Sequence, residues 1–468
     1  MKLDLHTLQH EQDIETLRAA SLSMIANLLA RVEALERLAF GKRSERTRTG
    51  TSTPAASAPQ ASKQKEAQRG HGPREQPDLP VQEELHLLDE ADQCCPKCGD
   101  LLEAMGEQVE QSEVIDSIPA RYVLRRIKRQ KYTCRCCGHI ESALGPEQLP
   151  GERRYTPEFS AHVAQQKYGM HMPLSRQVEQ MRTLGLRIDS QTLWDRLDTL
   201  ATHLEPSYLA LRGQILSQEV VGIDESEWRL LGKGRQKWPI WALRSEQAVF
   251  YQIRQSKGAQ DVLELLEGFT GWAVSDGATC FVSAEKKARS WRAGRCLAHV
   301  RRKFVQAQQD FPEAQEAVEL IGLLYATEER IKQGEIEANQ GRAQIGRGLT
   351  WLEAWCTQVE CLPESKLGKA LGYCLRQMKY LKEVGEHPEL WLDNNPTERS
   401  LRGPVLGRKN HYGSKSRRGT EVAAMLYSLV ETCKLQGVDA QEYLREAALA
   451  DARKPGTVTL PGNLSVSP

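Results

Sequence analysis

A change of hydrophobic periodicity near residue 219 constrains the fold more than any other feature of this sequence. The segments EVVGIDESEWRLL, KWPIWALRS and AVFYQIR have the length and apolar character of three successive β-strands. QDVLELLEGF then reads as a helix and GWAVSDGA as a fourth strand. Three strands, a helix and another strand open an RNase H-like α/β fold. Because the chain has 468 residues, we predict this core within a multidomain α/β protein of about two to four domains.

Acidic residues stand at matching places in two of these strands, Asp224 in VVGIDES and Asp276 in WAVSDG. A carboxylate in or beside a buried strand is costly unless it is paired or bound to a metal. A third acid, Glu398, lies in LDNNPTERSLRGPVLGRKN. If the three converge, each like-charge pair at about 4 Å costs roughly 4 kcal/mol at an effective dielectric of about 20. Such a cluster takes up protons or binds two hard cations, Mg²⁺ or Mn²⁺.

Local sequence offers a simpler interpretation of Glu398. Asn395, Pro396 and Glu398 fit the N-cap, first and third positions of a capping box. Arg402, four residues further on, is a second local partner. Spacing alone does not exclude three other acids as members of the cluster, namely Glu225, Glu227 and Asp393.

Two C-x-x-C-G units, CPKCG at 95–99 and CRCCG at 134–138, have the shape of zinc knuckles. The glycine permits the tight turn that points two thiolates at one ion. With strand-like sequence between them, they predict a zinc ribbon holding a structural Zn²⁺. The predicted ligands are Cys95, Cys98, Cys134 and Cys137, and the substitutes are Cys94, Cys136 and His139.

The first 80 residues divide into a helix and a linker. Residues 5–40 lack Gly and Pro, and six of eight heptad a and d positions are apolar. This pattern predicts a coiled coil that forms a homodimer or higher oligomer, although a helix packed on its own domain is the alternative. Residues 49–80 are rich in Pro, Ser, Ala and Gln, which is typical of a flexible linker.

A helix–turn–helix-like hairpin is predicted downstream, where PLSRQVEQMRTLG ends in glycine and IDSQTLWDRLDTL restarts. Gln191, Thr192 and Arg196 would face a DNA groove. Helical hairpins are also common in proteins that do not bind DNA.

Overall charge does not identify a partner, because 63 Lys and Arg balance 62 Asp and Glu to give a net charge of +1. Local basic clusters predict contact with the DNA backbone, and a solvated surface is the alternative. The predicted contacts are Arg125, Arg126, Arg301, Arg302, Lys303, Arg399, Arg402, Arg408 and Lys409. MKLDLHTLQHEQDIETL is too polar for a signal peptide and no window has the apolar length to span a membrane, so we expect a cytoplasmic protein.

Several blocks together resemble one family, the bacterial insertion-sequence transposases of the IS-sixty-six family in the DDE superfamily. The blocks are AFGKRSER, the two C-x-x-C-G units, KYGMHMPLSRQVEQM, VGIDES, VSDGA, RCLAHVRRKF, DNNPTERSLRGPVLGRKN and AAMLYSLVETCKLQGVDAQEYL. The resemblance implies that Asp224, Asp276 and Glu398 are the catalytic acids. It also implies that the helical stretch between the last two is an insertion into the core. Cys296 and His299 match a C-x-x-H block, which we interpret as a packed cysteine and a hydrogen-bonded histidine rather than as metal ligands.

The function implied by the resemblance is metal-dependent cleavage of double-stranded DNA at terminal inverted repeats, followed by transfer of the 3′-hydroxyl end to target DNA. Accessory proteins of the same element and a place at the bacterial nucleoid are implied as well. A catalytically inactive DNA-binding regulator and a nuclease without strand transfer are the alternatives. The predicted regions are coiled coil 1–48, linker 49–80, zinc ribbon 81–150, helical region 151–215, core 216–285, helical insertion 286–390, second core part 391–450 and tail 451–468.

Overall fold

The computed structural model describes Lys97 and residues 121–137, 139–232 and 236–463. The predicted coiled coil, the linker and the first cysteine pair, Cys95 and Cys98, lie outside the described residues. Among the residues described, no helix combines the length and the apolar character needed to cross a lipid bilayer.

A small hairpin carries the second C-x-x-C-G unit. Strands β1 (Lys131–Thr133) and β2 (Ile140–Ser142) pair antiparallel, with Tyr132 opposite Glu141. The Cys134 N–H donates to the His139 carbonyl at 2.7 Å, so the cysteines occupy the turn between the strands.

The central sheet is mixed and has five strands. They are β3 (Val220–Leu230), β4 (Gln236–Arg244), β5 (Val249–Ile253), β6 (Trp272–Ser275) and β7 (Arg292–Arg295). Their order across the sheet is β5-β4-β3-β6-β7. The first three strands pair antiparallel, whereas β6 and β7 run parallel to β3. The strands predicted from sequence are therefore confirmed as β3 to β6.

Strand β7 was not predicted and instead fell within the region assigned to the helical insertion. Its sequence, RAGR, has no apolar alternation, and arginines stand at both ends. Arg295 is nevertheless buried, because its guanidinium pairs with Glu285 at 2.6 Å and donates to Gln377 at 3.1 Å. The first residues of the segment predicted to be helical, 286–390, therefore include a strand of the sheet.

Thirteen α-helices surround the sheet in the described part of the chain. In order they are α1 (Pro157–Ala164), α2 (Leu174–Thr183), α3 (Ser190–Leu216), α4 (Ala259–Leu265), α5 (Thr279–Glu285), α6 (Leu297–Ala307), α7 (Ala314–Lys332), α8 (Ala338–Gln358), α9 (Lys366–Leu381), α10 (Asn395–Ser400), α11 (Arg402–His411), α12 (Arg417–Gln436) and α13 (Ala440–Arg453). Helix α13 ends at Arg453, so it includes the first three residues, 451–453, of the predicted tail. Thr459 then bonds back to Ser207 through its N–H at 2.9 Å.

Two hydrophobic cores lie against the sheet. Val221 and Ile223 of β3 belong to a core shared with α1, α3, α12 and α13. Val220, Trp272 and Val274 belong to a second core shared with α6 to α9. Since successive strand residues face opposite sides, α6 to α9 cover one face of the sheet, and α1, α3, α12 and α13 cover the opposite face. The helical region at 151–215 is therefore part of the main core rather than a separate domain.

Candidate active site and zinc site

Asp224 and Asp276 lie at neighbouring positions on adjacent parallel strands. Val220 pairs with Trp272 and Gly222 with Val274, and the same register continued by two residues places Asp224 beside Asp276. Asp276 follows the last residue of β6, and its carboxylate accepts the Ala278 N–H at 2.8 Å. Asp224 and Asp276 are 52 residues apart in the sequence, and each paired residue of β3 and β6 is separated from its partner by the same number.

The loop that carries Asp276 is held by helix α9. Tyr373 of α9 donates its hydroxyl to the backbone carbonyl of Asp276 at 2.6 Å. Gly277 follows with a φ of +76°, and a Cβ there would meet Gln377 Oε1 at 2.9 Å. A side chain at Gly277 would therefore be both strained and crowded.

Glu398 reaches the same place on the short helix α10, which packs directly on β3. Gly222 makes this packing possible, because a Cβ at that position would overlap Thr397 Oγ1 and lie 2.6 Å from Asn394 Oδ1. The Asn394 side-chain amide donates to the Ile223 carbonyl at 2.9 Å. Thr397 and Asn394 are 0 % and 1 % exposed. Helix α10 is thereby held against Gly222 and Ile223, the two residues that precede Asp224.

The negative charges of Asp276 and Glu398 both act on Asp224. Burial is the main cause that raises the pKa of Asp224 to about 7; the negative charges of Glu225, Asp276 and Glu398 contribute to this rise, whereas the hydrogen bond from the Glu225 N–H opposes it. Desolvation and like charge both favour the protonated acid. The pKa of Asp224 therefore depends on the charges of both other predicted acids, Asp276 after β6 and Glu398 on α10.

Neither local interpretation of Glu398 matches the structure. Helix α10 has Asn394, rather than Asn395, as its N-cap, and no side-chain bond caps it within the described chain. Among described residues, the ion-pair partners of Glu398 are His299 and Arg302 of α6, and Arg402 is not one of them. The distances are 3.5 Å from His299 Nδ1 to Oε1 and 3.4 Å from Arg302 Nη2 to Oε2.

The rival acids also have partners of their own. Glu225 pairs with Lys257 through Oε1, although its Oε2 is buried and has no hydrogen-bond partner among the described residues, and Glu227 pairs with Lys237 at 2.8 Å. Asp393 accepts both the backbone N–H of Asn395 at 2.9 Å and its side-chain amide at 2.6 Å.

The donor set at the three acids fits a hard divalent cation. It consists of carboxylate oxygens whose negative charges repel one another, and Mg²⁺ and Mn²⁺ favour oxygen ligands of this kind. Glu398 Oε1 is buried and has no hydrogen-bond partner in the described part of the chain. A buried carboxylate oxygen without a donor is costly unless a cation or donor completes it.

Most of the basic residues predicted to contact DNA are exposed. Arg125, Arg126, Arg301, Arg302, Lys303, Arg399, Arg402 and Lys409 are exposed, and Arg408 is half-buried. Arg302 is distinguished from its neighbours by its contact with Glu398. The Lys303 ammonium lies 5.6 Å from the centre of the Tyr373 ring.

Arg196 in the helical hairpin differs from the expectation. It forms an ion pair with Glu152, and its guanidinium lies 5.3 Å from the ring centre of Tyr155. Only 17 % of its side chain is exposed, so in this structure it does not extend toward a groove. Gln191 is exposed and donates to Asp195 at 2.8 Å.

The thiols of Cys134, Cys136 and Cys137 cluster in the β1–β2 turn. Their sulfur atoms lie within 4.8 Å of one another. Hydrogen bonds from Cys137 and Cys136 lower the pKa of Cys134 to about 7, which favours the thiolate that zinc binds. The cluster includes the predicted ligands Cys134 and Cys137 and the substitute Cys136, and it fits half of a zinc site.

Sequence reasoning missed the residues that hold Glu398 in place. The C-x-x-H block was noted, but its contact with Glu398 was not expected. The available signal was the spacing of Cys296, His299 and Arg302, which places all three on one face of a helix. Gly222 and Thr397 gave no comparable signal.

Comparisons with known proteins agree with the residues assembled here. The model of the Transposase IS66 family matches residues 152–422, and that of the zinc-finger binding domain of transposase IS66 matches residues 92–138. The second match contains both cysteine pairs, which supports a structural zinc ion.

Three uncharacterised proteins of Sinorhizobium fredii are similar to this chain. The protein y4jD is 28 % identical, covering 94 % of this chain and 94 % of its own length. The protein y4hP is 25 % identical over 78 % of this chain and 71 % of itself, and y4qI is 24 % identical over 72 % and 67 %. Since the first family model spans more than half of the sequence and all the acids discussed above, this chain belongs to the IS66 family of transposases.

Proposed function

We propose that this protein is a DDE transposase that cuts DNA at the inverted-repeat ends of an insertion sequence and joins the freed 3′-hydroxyl to target DNA. The proposal is supported above all by the β3–β6 register, which when continued by two residues pairs Asp224 with Asp276, and by the action of the Glu398 charge on Asp224. The order β5-β4-β3-β6-β7, with three antiparallel strands followed by two parallel ones, supports an RNase H-like core.

Each acid has a defined role in this proposal. Asp224 and Asp276 offer carboxylate oxygens from adjacent strands, and Glu398 offers its oxygen from the α10 side. Two bound Mg²⁺ or Mn²⁺ ions would supply Lewis-acid activation of the attacking oxygen and stabilisation of the departing one. The protein's contribution is to hold three carboxylates against their mutual repulsion, through the strand register on one side and the Gly222–Thr397 packing on the other.

DNA binding is assigned to surfaces around the acids. The exposed cations on α6, α10 and α11 would bind phosphates, since such contacts position the duplex without reading its sequence. The zinc ribbon would recognise the terminal repeats, and the N-terminal helix would pair protomers. These assignments follow from exposure, the family match and the heptad pattern respectively.

Strand cleavage and joining on a duplex that ends in the element's terminal repeat would test the proposal. The variant Asp276→Asn keeps the side-chain oxygen that accepts the Ala278 N–H but removes the charge. We expect it to lose more activity than the roughly 10–100-fold that loss of an outer-shell partner costs, with DNA affinity unchanged.

Two results would refute the assignment. Equal activity of Asp276→Asn and the wild type would show that the acids are not the catalytic centre and would favour a DNA-binding regulator. Cleavage without joining of the 3′-hydroxyl end would leave the acids in place but identify a nuclease.

A further inference from the structure

Three side chains at the start of α6 and on it contact the segment that carries Glu398. Cys296 immediately precedes α6, and its sulfur accepts the backbone N–H of Asn394, the N-cap of α10, at 3.2 Å. His299 and Arg302, three and six residues later, reach the two oxygens of Glu398 itself. These contacts reach α10 at its N-cap, Asn394, and at the side chain of Glu398.

The three side chains His299, Arg302 and Glu398 form a closed ring of contacts. Arg302 Nη1 lies 3.3 Å from His299 Nε2. Because a guanidinium only donates, Nε2 is the acceptor, and the ring proton of a neutral histidine is then on Nδ1. Nδ1 faces Glu398 Oε1 at 3.5 Å. Both of these atoms are buried and neither has a hydrogen-bond partner in the described part of the chain.

We propose that His299 is a positioning residue, which presents its Nδ1–H to Glu398 Oε1 and so fixes the rotation of the carboxylate toward Asp224 and Asp276. Arg302 sets the histidine tautomer through Nε2. This inference rests on the proposed function, because it gives Glu398 the role of a metal ligand. Outer-shell groups that orient a ligand in this way typically contribute 10–100-fold to metal affinity.

A different role for the same residues is a separate metal site, since Cys296, His299 and Glu398 place ligand atoms within 4.8 Å of one another. The contacts argue against it. Cys296 is 2 % exposed, and its sulfur already accepts the backbone N–H of Asn394. The sulfur is therefore already used to hold the start of α10.

The test compares His299→Ala with His299→Asn in the full-length, zinc-loaded protein. The asparagine amide nitrogen can occupy the place of Nδ1, so this variant restores the donor. Gln306→Ala is the matched control, because Gln306 is exposed on the same helix and forms no side-chain hydrogen bond with the described residues. Thermal unfolding of each variant would establish that it is folded.

The first measurement is Mn²⁺ affinity by titration calorimetry. We expect His299→Ala to bind Mn²⁺ about 10–100-fold more weakly, with His299→Asn and Gln306→Ala close to the wild type. The second measurement is affinity for terminal-repeat DNA without added divalent metal, which we expect to be unchanged in His299→Ala.

Three outcomes would overturn the inference. They are unchanged Mn²⁺ affinity in His299→Ala, a loss of DNA affinity without a loss of Mn²⁺ affinity, and a second zinc ion per chain that disappears in His299→Ala. The Asp276→Asn variant separates the two proposals. If it loses Mn²⁺ binding and cleavage while His299→Ala does not, only the inference about His299 fails. If Asp276→Asn keeps both, the proposed function fails.

Discussion

A single methyl group at Gly222 should separate the third acid from the other two. In the variant Gly222→Ala, the new Cβ would overlap Thr397 Oγ1 and lie 2.6 Å from Asn394 Oδ1, whereas ordinary contacts begin at 3.4 Å. The start of α10 must therefore retreat by about 0.8 Å to clear Asn394 alone, and further to clear Thr397. Glu398 would move with it, because α10 is only six residues long.

Two magnitudes follow from this displacement. Overpacking of a buried contact costs about 1–3 kcal/mol of folding free energy. A misplacement of about 1 Å at a catalytic group can cost on the order of 10²-fold in rate. We therefore expect Gly222→Ala to remain folded and to lose strand cleavage by about a hundredfold, together with weaker Mn²⁺ binding.

Controls for this experiment are available in the same chain. Gly213→Ala lies within α3, where a Cβ would meet nothing within 4 Å, and it should keep full activity and gain about 0.5–1 kcal/mol of stability. Thr397→Ala added to Gly222→Ala should restore part of the activity, because Oγ1 is the overlapping atom and has no hydrogen-bond partner among described residues. Wild-type cleavage and Mn²⁺ affinity in Gly222→Ala would refute the argument that this contact places Glu398.

Two further predictions concern acid stability and zinc. Burial and the nearby charge of Lys167 lower the pKa of His411 to about 3, below the unfolded value of about 6.5. The unfolded chain then binds the extra proton first, so about 2 kcal/mol of stability present at pH 8 should be lost by pH 5. In His411→Gln this part of the loss should vanish in urea titrations at the two pH values, and equal losses in variant and wild type would contradict the assignment. For the knuckle, Cys134→Ser should reduce bound zinc and weaken terminal-repeat binding, since metal binding and folding are coupled in such domains. The control Cys361→Ser should do neither, and full zinc content in Cys134→Ser would exclude Cys134 as a ligand.

The sequence was sufficient to predict the features that depend on local pattern. The apolar runs around Asp224 and Asp276 predicted β3 and β6. Strand β7 could not be predicted in this way, because four residues with arginine at both ends carry no strand period. Its stability comes from tertiary partners of Arg295.

The surroundings of Glu398 were beyond local reasoning. The capping-box pattern was present in the sequence, but the helix begins one residue earlier than that pattern requires. Arg302, which contacts Glu398, is 96 residues away in the chain, and no local period reports such a distance. Arg196 shows the same limit, because its ion pair with Glu152 depends on how α3 docks.

The contacts that α6 and α9 make with Glu398 and the Asp276 loop have a consequence for the protein's synthesis. Asp224 and Asp276 leave the ribosome well before Glu398, and the helices that hold Glu398 and the Asp276 loop, α6 and α9, lie between them in the chain. Under the proposed function, a nascent or prematurely terminated chain has two of its acids but lacks the third. An enzyme that breaks chromosomal DNA would then acquire its cutting ability only after residues 1–398 have been made.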